Sequence, residues 1–161
     1  MAERQIVFLD IDGVLNSERF FVTATMAERA SMIDKEAVKL LNQLKGAEIV
    51  ITSSWGEDGG NTERRLKEAG LELPIVGYTK KVHYKFDWAC RGNEIEQWIL
   101  ENDGGIGTKY GSEYKSKKFS YVILDDDQDM LLGQKDNFIK IDRYMGLTQN
   151  DIEKSIEILN L

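Results

Sequence analysis

The chain has very little cysteine or histidine, and each shortage excludes a class of protein. Its 161 residues include one cysteine and one histidine. A lone cysteine, Cys90, rules out an internal disulfide and is typical of a reducing compartment, so we expect a cytoplasmic protein. A lone histidine, His83, rules out a zinc site built from several histidines. Cys90 and His83 could pair as a nucleophile and its base, but we interpret them as a core cysteine and a loop histidine.

Long apolar runs and excess positive charge are also missing. No apolar stretch approaches the roughly 18 residues of a membrane-spanning helix. Met1–Gln5 leads directly into an apolar strand without the pattern of a secretory signal. The formal net charge is −7, which disfavours broad adhesion to nucleic acid or to an anionic membrane but leaves room for a local basic patch. We therefore expect no membrane partner.

What is present is the composition of one folded domain. Hydrophobic residues make up 42% of the chain and charged residues 30%, as in globular rather than disordered proteins. The length is sufficient to bury a single core. We predict one domain over residues 1–161, with a monomer as the default state.

Two carboxylates follow the strongest strand signal in the chain. Ile6–Leu9 is a continuous apolar run, typical of a buried strand. Asp10 and Asp12 follow it two residues apart, so they would share one face of an extended chain. Gly13 then allows a sharp turn. Acids at the carboxyl end of a buried strand lie where open α/β sheets bind their ligands.

Two more predicted strands end in polar residues. The stretch Glu48–Trp55 is a short apolar strand that ends in hydroxyls, with Thr52 and Ser53 among them, and Phe119–Leu124 runs into Asp125 and Asp126. Helical patterns separate the strands, which predicts an α/β fold with parallel strands. Because parallel strands bring their carboxyl ends to one edge of the sheet, we expect the three polar tips to converge there.

The remaining pattern predicts shorter elements. Helices are expected after Asp34 through Leu44, at 62–69, at 91–102, through 130–132, and after a capping box at Thr148. Residues 73–76 are expected to be extended but away from the centre of the sheet because Pro74 lacks an N–H. Residues 138–141 read as a last strand, and residues 79–90 as irregular.

Four stretches, taken together, resemble one known family. Phe8–Asn16 resembles the first motif of the haloacid dehalogenase (HAD) superfamily, an Asp-x-Asp-Gly after an apolar strand. Thr52–Trp55, Arg91–Ile95 with Trp98, and Val122–Asp127 are similar to the small phosphatase domains of Swiss Army Knife RNA repair proteins. The resemblance implies a Rossmann-like, three-layer α/β/α fold with a central parallel sheet and no large cap domain. It also implies Mg²⁺-assisted phosphoryl transfer through an aspartyl phosphate.

The resemblance assigns roles to particular residues. Asp10 would be the nucleophile and Asp12 the general acid and base. The metal would be held by Asp10, by the backbone carbonyl of Asp12, and by Asp126, with Asp125 as the alternative. Carboxylate and carbonyl oxygens suit Mg²⁺, and phosphoryl transfer depends mainly on positioning and charge neutralisation.

Phosphate binding is assigned with alternatives. Thr52 matches the hydroxyl of the family's second motif, and Ser53 is the alternative if the register differs by one residue. The third motif is usually a lysine; here Arg91 occupies its place, and Lys85 is the other candidate. Arginine binds phosphate oxygens in bidentate fashion, so the replacement is chemically workable.

The substrate is expected to be a phosphorylated molecule, and a nucleic-acid end is the leading hypothesis. Residues 16–33 are too few for a folded cap, and an open site admits the end of a polymer. The helix at Arg91 is flanked by locally basic stretches that contain Lys80, Lys81, Lys85, Lys109, Lys115, Lys117 and Lys118, with Tyr84, Phe86 and Trp88 interleaved. Charge with stacking surface is how single-stranded ends are held.

Other functions are compatible with parts of this pattern. A small-molecule, nucleotide or protein phosphatase of the same superfamily would use the same residues. A response-regulator receiver also groups acids with a hydroxyl and a lysine, but its phosphoacceptor lies on a middle strand, so the order of motifs disagrees. An inactive phosphate-binding module is the remaining non-enzymatic alternative, and the presence of every key acid argues against it.

Overall fold

A five-stranded parallel sheet forms the centre of the protein. The computed structural model describes residues 3–84, 87–102 and 119–161, with the backbone alone at 83–84 and 87–88. The spatial order of the strands is β3-β2-β1-β6-β7. Their bounds are Arg4–Leu9 (β1), Glu48–Ile51 (β2), Ile75–Tyr78 (β3), Phe119–Asp125 (β6) and Phe138–Lys140 (β7).

The first strand lies in the middle because it is the most apolar. Ile6 to Leu9 are all fully buried, as expected for a strand covered on both faces. Leu9 is in register with Ile51 of β2 and with Leu124 of β6. The three strands therefore end level with one another, and the residues that follow them start from the same edge.

Helices cover both faces of the sheet. The four longer ones are Lys35–Leu41 (α3), Asn61–Glu68 (α4), Arg91–Asn102 (α5) and Gln149–Leu159 (α6). Side chains alternate along β1. Ile6 and Phe8 pack with the α5 side chains, and Val7 and Leu9 pack with side chains of α3, α4 and α6. The result is the predicted Rossmann-like three-layer α/β/α arrangement.

A short helical segment follows the first strand where a cap could have been inserted. It consists of two six-residue helices, Glu18–Thr23 (α1) and Met26–Ser31 (α2). Thr25 and Glu28 form a reciprocal capping box that starts the second helix. As predicted, this segment is too small to fold as a domain, and the described residues include no large cap.

Several local predictions were wrong. Residues 79–90 were expected to be irregular, but His83–Tyr84 (β4) and Asp87–Trp88 (β5) pair as an antiparallel hairpin, so His83 lies in a strand rather than a loop. Cys90 is half-buried and is not a core residue. The helix expected at 130–132 is absent, and a 3₁₀ helix follows instead at Leu132–Asn137.

The strand expected at 73–76 begins at Ile75 and forms one edge of the sheet. This edge position agrees with the expectation from Pro74, whose carbonyl accepts a hydrogen bond from the N–H of Ile49. None of the described helices has both the length and the apolar character needed to cross a membrane.

Candidate active site

Asp10 lies at the carboxyl end of the central strand and is almost completely buried. Its exposed fraction is 5%, and its backbone N–H donates to the carbonyl of Leu124, 3.0 Å away. Gly13 follows with a φ of +77°. A Cβ on Gly13 would lie 2.4 Å from Oδ2 of Asp126. Two features therefore favour glycine at position 13: the positive φ angle, and the close approach of the Asp126 carboxylate.

Three carboxylates meet at this point. Asp10, Asp125 and Asp126 each place an oxygen within 4.8 Å of the others. Burial, with the nearby charge of Asp10, raises the pKa of Asp125 to about 7. Burial also raises the pKa of Asp10 to about 6, although Arg91 opposes the shift. The cluster holds more negative charge than its buried setting favours.

The donor set fits a hard divalent cation. Oδ1 of Asp125 accepts a hydrogen bond from the N–H of Asp127 at 2.9 Å. Its Oδ2 is buried and has no hydrogen-bond partner. Buried polar atoms are normally paired, so this oxygen is free to coordinate a cation. Closely spaced carboxylate oxygens are the ligands that Mg²⁺ prefers.

Arg91 faces the same cluster from the start of α5. Its Nη1 lies 3.8 Å from Oδ1 of Asp10, and its Nε lies 3.8 Å from Oδ2 of Asp125. Nη1 is buried without a hydrogen-bond partner. The guanidinium therefore has a donor that is still available for an anion bound at this site.

The segment after β6 fixes the position of Arg91. The Asp129 carboxylate accepts the backbone N–H of Arg91 at 2.9 Å, and its carbonyl accepts that of Gly92 at 3.1 Å. Gln134 donates to the carbonyl of Gly92 at 2.8 Å and accepts from the N–H of Leu131 at 3.0 Å. These bonds occupy residues 129–131, which explains why the predicted helix does not form there.

Two hydroxyls follow β2. Oγ1 of Thr52 is buried and has no hydrogen-bond partner. The side chain of Ser53 interacts with Asp10 and opposes the rise of its pKa. Thr52 thus offers a free hydroxyl, whereas Ser53 acts on the carboxylate of Asp10.

Asp12 is exposed and points to different partners from those of Asp10. Its Oδ1 accepts from Nδ2 of Asn16 at 2.9 Å. Nε1 of Trp55 lies 3.1 Å from both of its carboxylate oxygens. The two carboxylates of the first motif are therefore separated in environment, one desolvated and one open to solvent.

Comparison with known proteins agrees with this geometry. The family model described as the HAD domain in Swiss Army Knife RNA repair proteins matches residues 6–152. The chain belongs to this HAD family. No curated protein and no solved structure matches the chain significantly. Membership places it among HAD-type hydrolases in general.

The HAD motif residues are brought together where the structure describes them. Asp10, Asp12, Arg91, Asp125 and Asp126 line one groove. Thr52 and Ser53 directly follow β2 at the same edge of the sheet, and Ser53 interacts with Asp10. Their catalytic roles stay predictions. Lys85, the alternative cation, lies outside the described residues, as do Lys109, Lys115, Lys117 and Lys118.

Sequence reasoning missed several residues of this HAD site. Arg143 donates from Nε to Oδ2 of Asp126 at 2.6 Å and lines the groove of about 400 Å³ that opens over Asp10. Trp55 and Asn16 hold Asp12. The position of Arg143 shortly after the last strand could have indicated its location, because residues that follow parallel strands lie at the same edge of the sheet.

Proposed function

We propose that the chain is a Mg²⁺-dependent phosphomonoesterase that acts through an aspartyl phosphate on Asp10. One observation carries the proposal. Two buried polar atoms without partners lie in the cluster around Asp10: Nη1 of Arg91, 3.8 Å from Oδ1 of Asp10, and Oδ2 of Asp125. A third, Oγ1 of Thr52, belongs to the residue directly after β2, whose N–H donates to the carbonyl of Leu9. Two donors and one acceptor are the combination that a phosphoryl group together with a cation would satisfy.

The proposed chemistry gives the two carboxylates of the first motif different roles, as the resemblance to the HAD family implies. A carboxylate oxygen of Asp10 attacks phosphorus, and the bond to the leaving oxygen breaks. Asp12 gives its proton to that leaving oxygen. Asp12 then takes a proton from water, which attacks the phosphorus of the aspartyl phosphate. Inorganic phosphate leaves, and Asp10 is regenerated.

The remaining residues bind and neutralise. Arg91 and the hydroxyl of Thr52 would bind the phosphate oxygens, and Ser53 orients Asp10. Mg²⁺ would be held by Asp10, by the backbone carbonyl of Asp12, and by Asp126 or Asp125. When bound, the metal supplies the positive charge that compensates the phosphate and the clustered carboxylates.

We further propose that the substrate is the terminal phosphate of a nucleic acid. The family description names RNA repair proteins. Two six-residue helices stand where an enclosing cap could have been, so the described part of the site is open. Lys80 and Lys81 are exposed just before the β4–β5 hairpin that leads to Arg91. The single free cysteine supports a reducing, cytoplasmic setting.

Phosphate release from a panel of substrates tests the function and the substrate separately. The panel contains 5′- and 3′-phosphorylated oligonucleotides, the matching mononucleotides, sugar phosphates and a phosphopeptide, each with Mg²⁺ or with chelator. We expect Mg²⁺-dependent release that is lost in Asp10→Asn. Turnover of oligonucleotides should exceed that of mononucleotides and fall steeply with salt.

The outcomes separate the two parts of the proposal. Full activity in Asp10→Asn contradicts the phosphatase mechanism. Better turnover of mononucleotides, sugar phosphates or phosphopeptides, with weak salt dependence, contradicts the nucleic-acid substrate and leaves the phosphatase in place.

A further inference from the structure

Asp12 has two side-chain partners that no part of the proposed mechanism uses. The indole N–H of Trp55 is 3.1 Å from both carboxylate oxygens, and Nδ2 of Asn16 is 2.9 Å from Oδ1. Asp12 itself is exposed. An exposed carboxylate ordinarily samples several rotamers in water, but here donors from two different parts of the chain restrain it.

Both partners are themselves held in place. Asn16 is 3% exposed; its Oδ1 accepts from the N–H of Gly13 at 3.0 Å, and its Nδ2 also donates to the carbonyl of Met32 at 3.1 Å. An amide with this many bonds cannot turn to follow a moving carboxylate.

Trp55 is restrained at both of its ends. Its backbone N–H donates to Oγ of Ser53 at 3.3 Å, and the side chain of Ser53 interacts with Asp10 and opposes the rise of its pKa. The guanidinium of Arg65 lies over the indole, 5.7 Å from the ring centroid, at a distance that gives a cation–π attraction. Trp55 therefore connects the two aspartates of the first motif through Ser53.

We propose that Trp55 is a positioning residue that orients Asp12 for proton transfer to the leaving oxygen. The proposal rests on the phosphomonoesterase function. Indole donates a hydrogen bond but has no basic nitrogen to accept a proton, so it can hold Asp12 without competing for the proton. Oδ1 of Asp12 takes bonds from both Trp55 and Asn16, whereas Oδ2 takes only the shared indole bond. Oδ2 therefore has fewer hydrogen-bond partners than Oδ1 and is the oxygen left to face the leaving group.

The test compares two aryl phosphates that differ in how much acid catalysis they need. p-Nitrophenolate leaves without much help, whereas phenolate depends on protonation. The value of kcat/KM reports steps up to departure of the leaving group, so it isolates the acid role of Asp12. For Trp55→Phe we expect a loss of kcat/KM roughly tenfold larger with phenyl phosphate than with p-nitrophenyl phosphate.

A double-mutant cycle with Asp12→Asn separates positioning from a general structural effect. If Trp55 acts through Asp12, Trp55→Phe should cost little further kcat/KM for phenyl phosphate in the Asp12→Asn background. Trp55→His, which keeps an N–H donor, should recover part of the loss. Equal losses with both aryl phosphates, or full additivity with Asp12→Asn, would overturn the proposal.

A measurement on the protein with Trp55 intact covers the case in which these variants fold poorly. The chain has three tryptophans, and each gives an indole N–H signal in a ¹H–¹⁵N spectrum. We expect Asp12→Asn to shift one of the three signals, and an unshifted set contradicts the contact.

Activity in Asp10→Asn would refute the phosphatase itself. If Asp10→Asn is inactive but Trp55→Phe loses equal activity with both aryl phosphates, only the role of Trp55 is refuted.

Discussion

At the scale of single residues, the site is a set of buried charges that need a cation. Asp125 is fully buried and Asp10 nearly so, and burial raises the pKa of both carboxyls. Among the residues that the structure describes, Arg91 is the one positively charged residue within 4 Å of both, and its two closest distances are 3.8 Å. Long contacts of this kind compensate only part of the cost of burying two carboxylates.

The stability of the metal-free protein should therefore depend on pH. The folded pKa values, about 6 for Asp10 and about 7 for Asp125, lie above the ordinary value of 3.8. Between these limits the folded protein binds more protons than the unfolded chain, so its stability falls as pH rises. In chelator, we expect the melting temperature to drop from about pH 4 to about pH 7.

Variants of the acidic run assign this pH dependence. Asp125→Asn should flatten the decline because it removes one raised pKa and the charge that Asp125 places beside Asp10. Asp127→Asn is the matched control, since that carboxylate accepts the N–H of Gln128 and stands outside the three-carboxylate cluster. A decline that is equally steep in Asp125→Asn would contradict the assignment.

The sequence predicted the positions of residues at strand ends better than it predicted which distant side chains hydrogen-bond to each other. Asp10, Thr52 and Asp125 could be placed because each directly follows or ends an apolar run, and parallel strands end at one edge. Trp55 and Arg143 could not be paired with their partners, because Asp12 and Asp126 lie 43 and 17 positions away. No periodicity carries information over such separations.

At the scale of elements, the sequence predicted the contact between the N-terminus of α5 and the segment after β6 least well. The helix bounds were predicted correctly, but the segment that receives it was expected to be a helix and is instead an extended turn followed by a 3₁₀ helix. A three-residue apolar run cannot distinguish these states. The deciding interactions are the tertiary bonds from Asp129 and Gln134 to Arg91 and Gly92.

Gly92 is the position at which this junction can be tested. A Cβ there would lie 2.5 Å from the backbone nitrogen of Leu131 and 2.7 Å from Oε1 of Gln134. Gly92→Ala should therefore separate α5 from the segment after β6 and move Arg91. We expect a loss of about 1–3 kcal/mol in stability, measured by thermal melting, together with a raised KM for phosphate esters.

A second glycine provides the control for that variant. Gly133 lies in the 3₁₀ helix, and a Cβ on it would meet no atom within 4 Å. Gly133→Ala should leave both the melting temperature and KM close to those of the parent protein. If the two alanine variants melt at the same temperature, the close approach at Gly92 does not constrain the junction.

At the scale of the whole molecule, the fold brings distant motifs to one edge of the sheet. The alternation of strands and helices was enough to predict parallel strands and their convergent ends, because parallel strands need crossover connections. The hairpin at β4 and β5 escaped prediction because two-residue strands leave no alternating pattern to detect.

Metal binding should stabilise this arrangement as a whole. At about 100 times its dissociation constant, a ligand that binds only the folded state adds about 2.7 kcal/mol. For a domain of this size that corresponds to a rise of about 5–10 °C in melting temperature. We expect Mg²⁺ to produce such a rise, and Asp126→Ala and Asp125→Asn to show which carboxylate the effect requires.

The control for the metal effect is again Asp127→Asn, which should respond to Mg²⁺ like the parent protein. No change in melting temperature with Mg²⁺, or an undiminished response in both Asp125→Asn and Asp126→Ala, would exclude this cluster as the metal site.

The central claim, that Asp10 becomes phosphorylated during turnover, is tested most directly by trapping the intermediate. The protein is mixed with Mg²⁺ and a substrate that it hydrolyses, quenched in acid within a turnover, digested with pepsin and examined by mass spectrometry. We predict one phosphoryl group on the peptide that contains Asp10, removable by hydroxylamine. With p-nitrophenyl phosphate, whose leaving group needs little acid, it should be more abundant in Asp12→Asn because water is then activated slowly. Turnover without any phosphorylated peptide, or with the phosphoryl group on a peptide that lacks Asp10, would contradict the account.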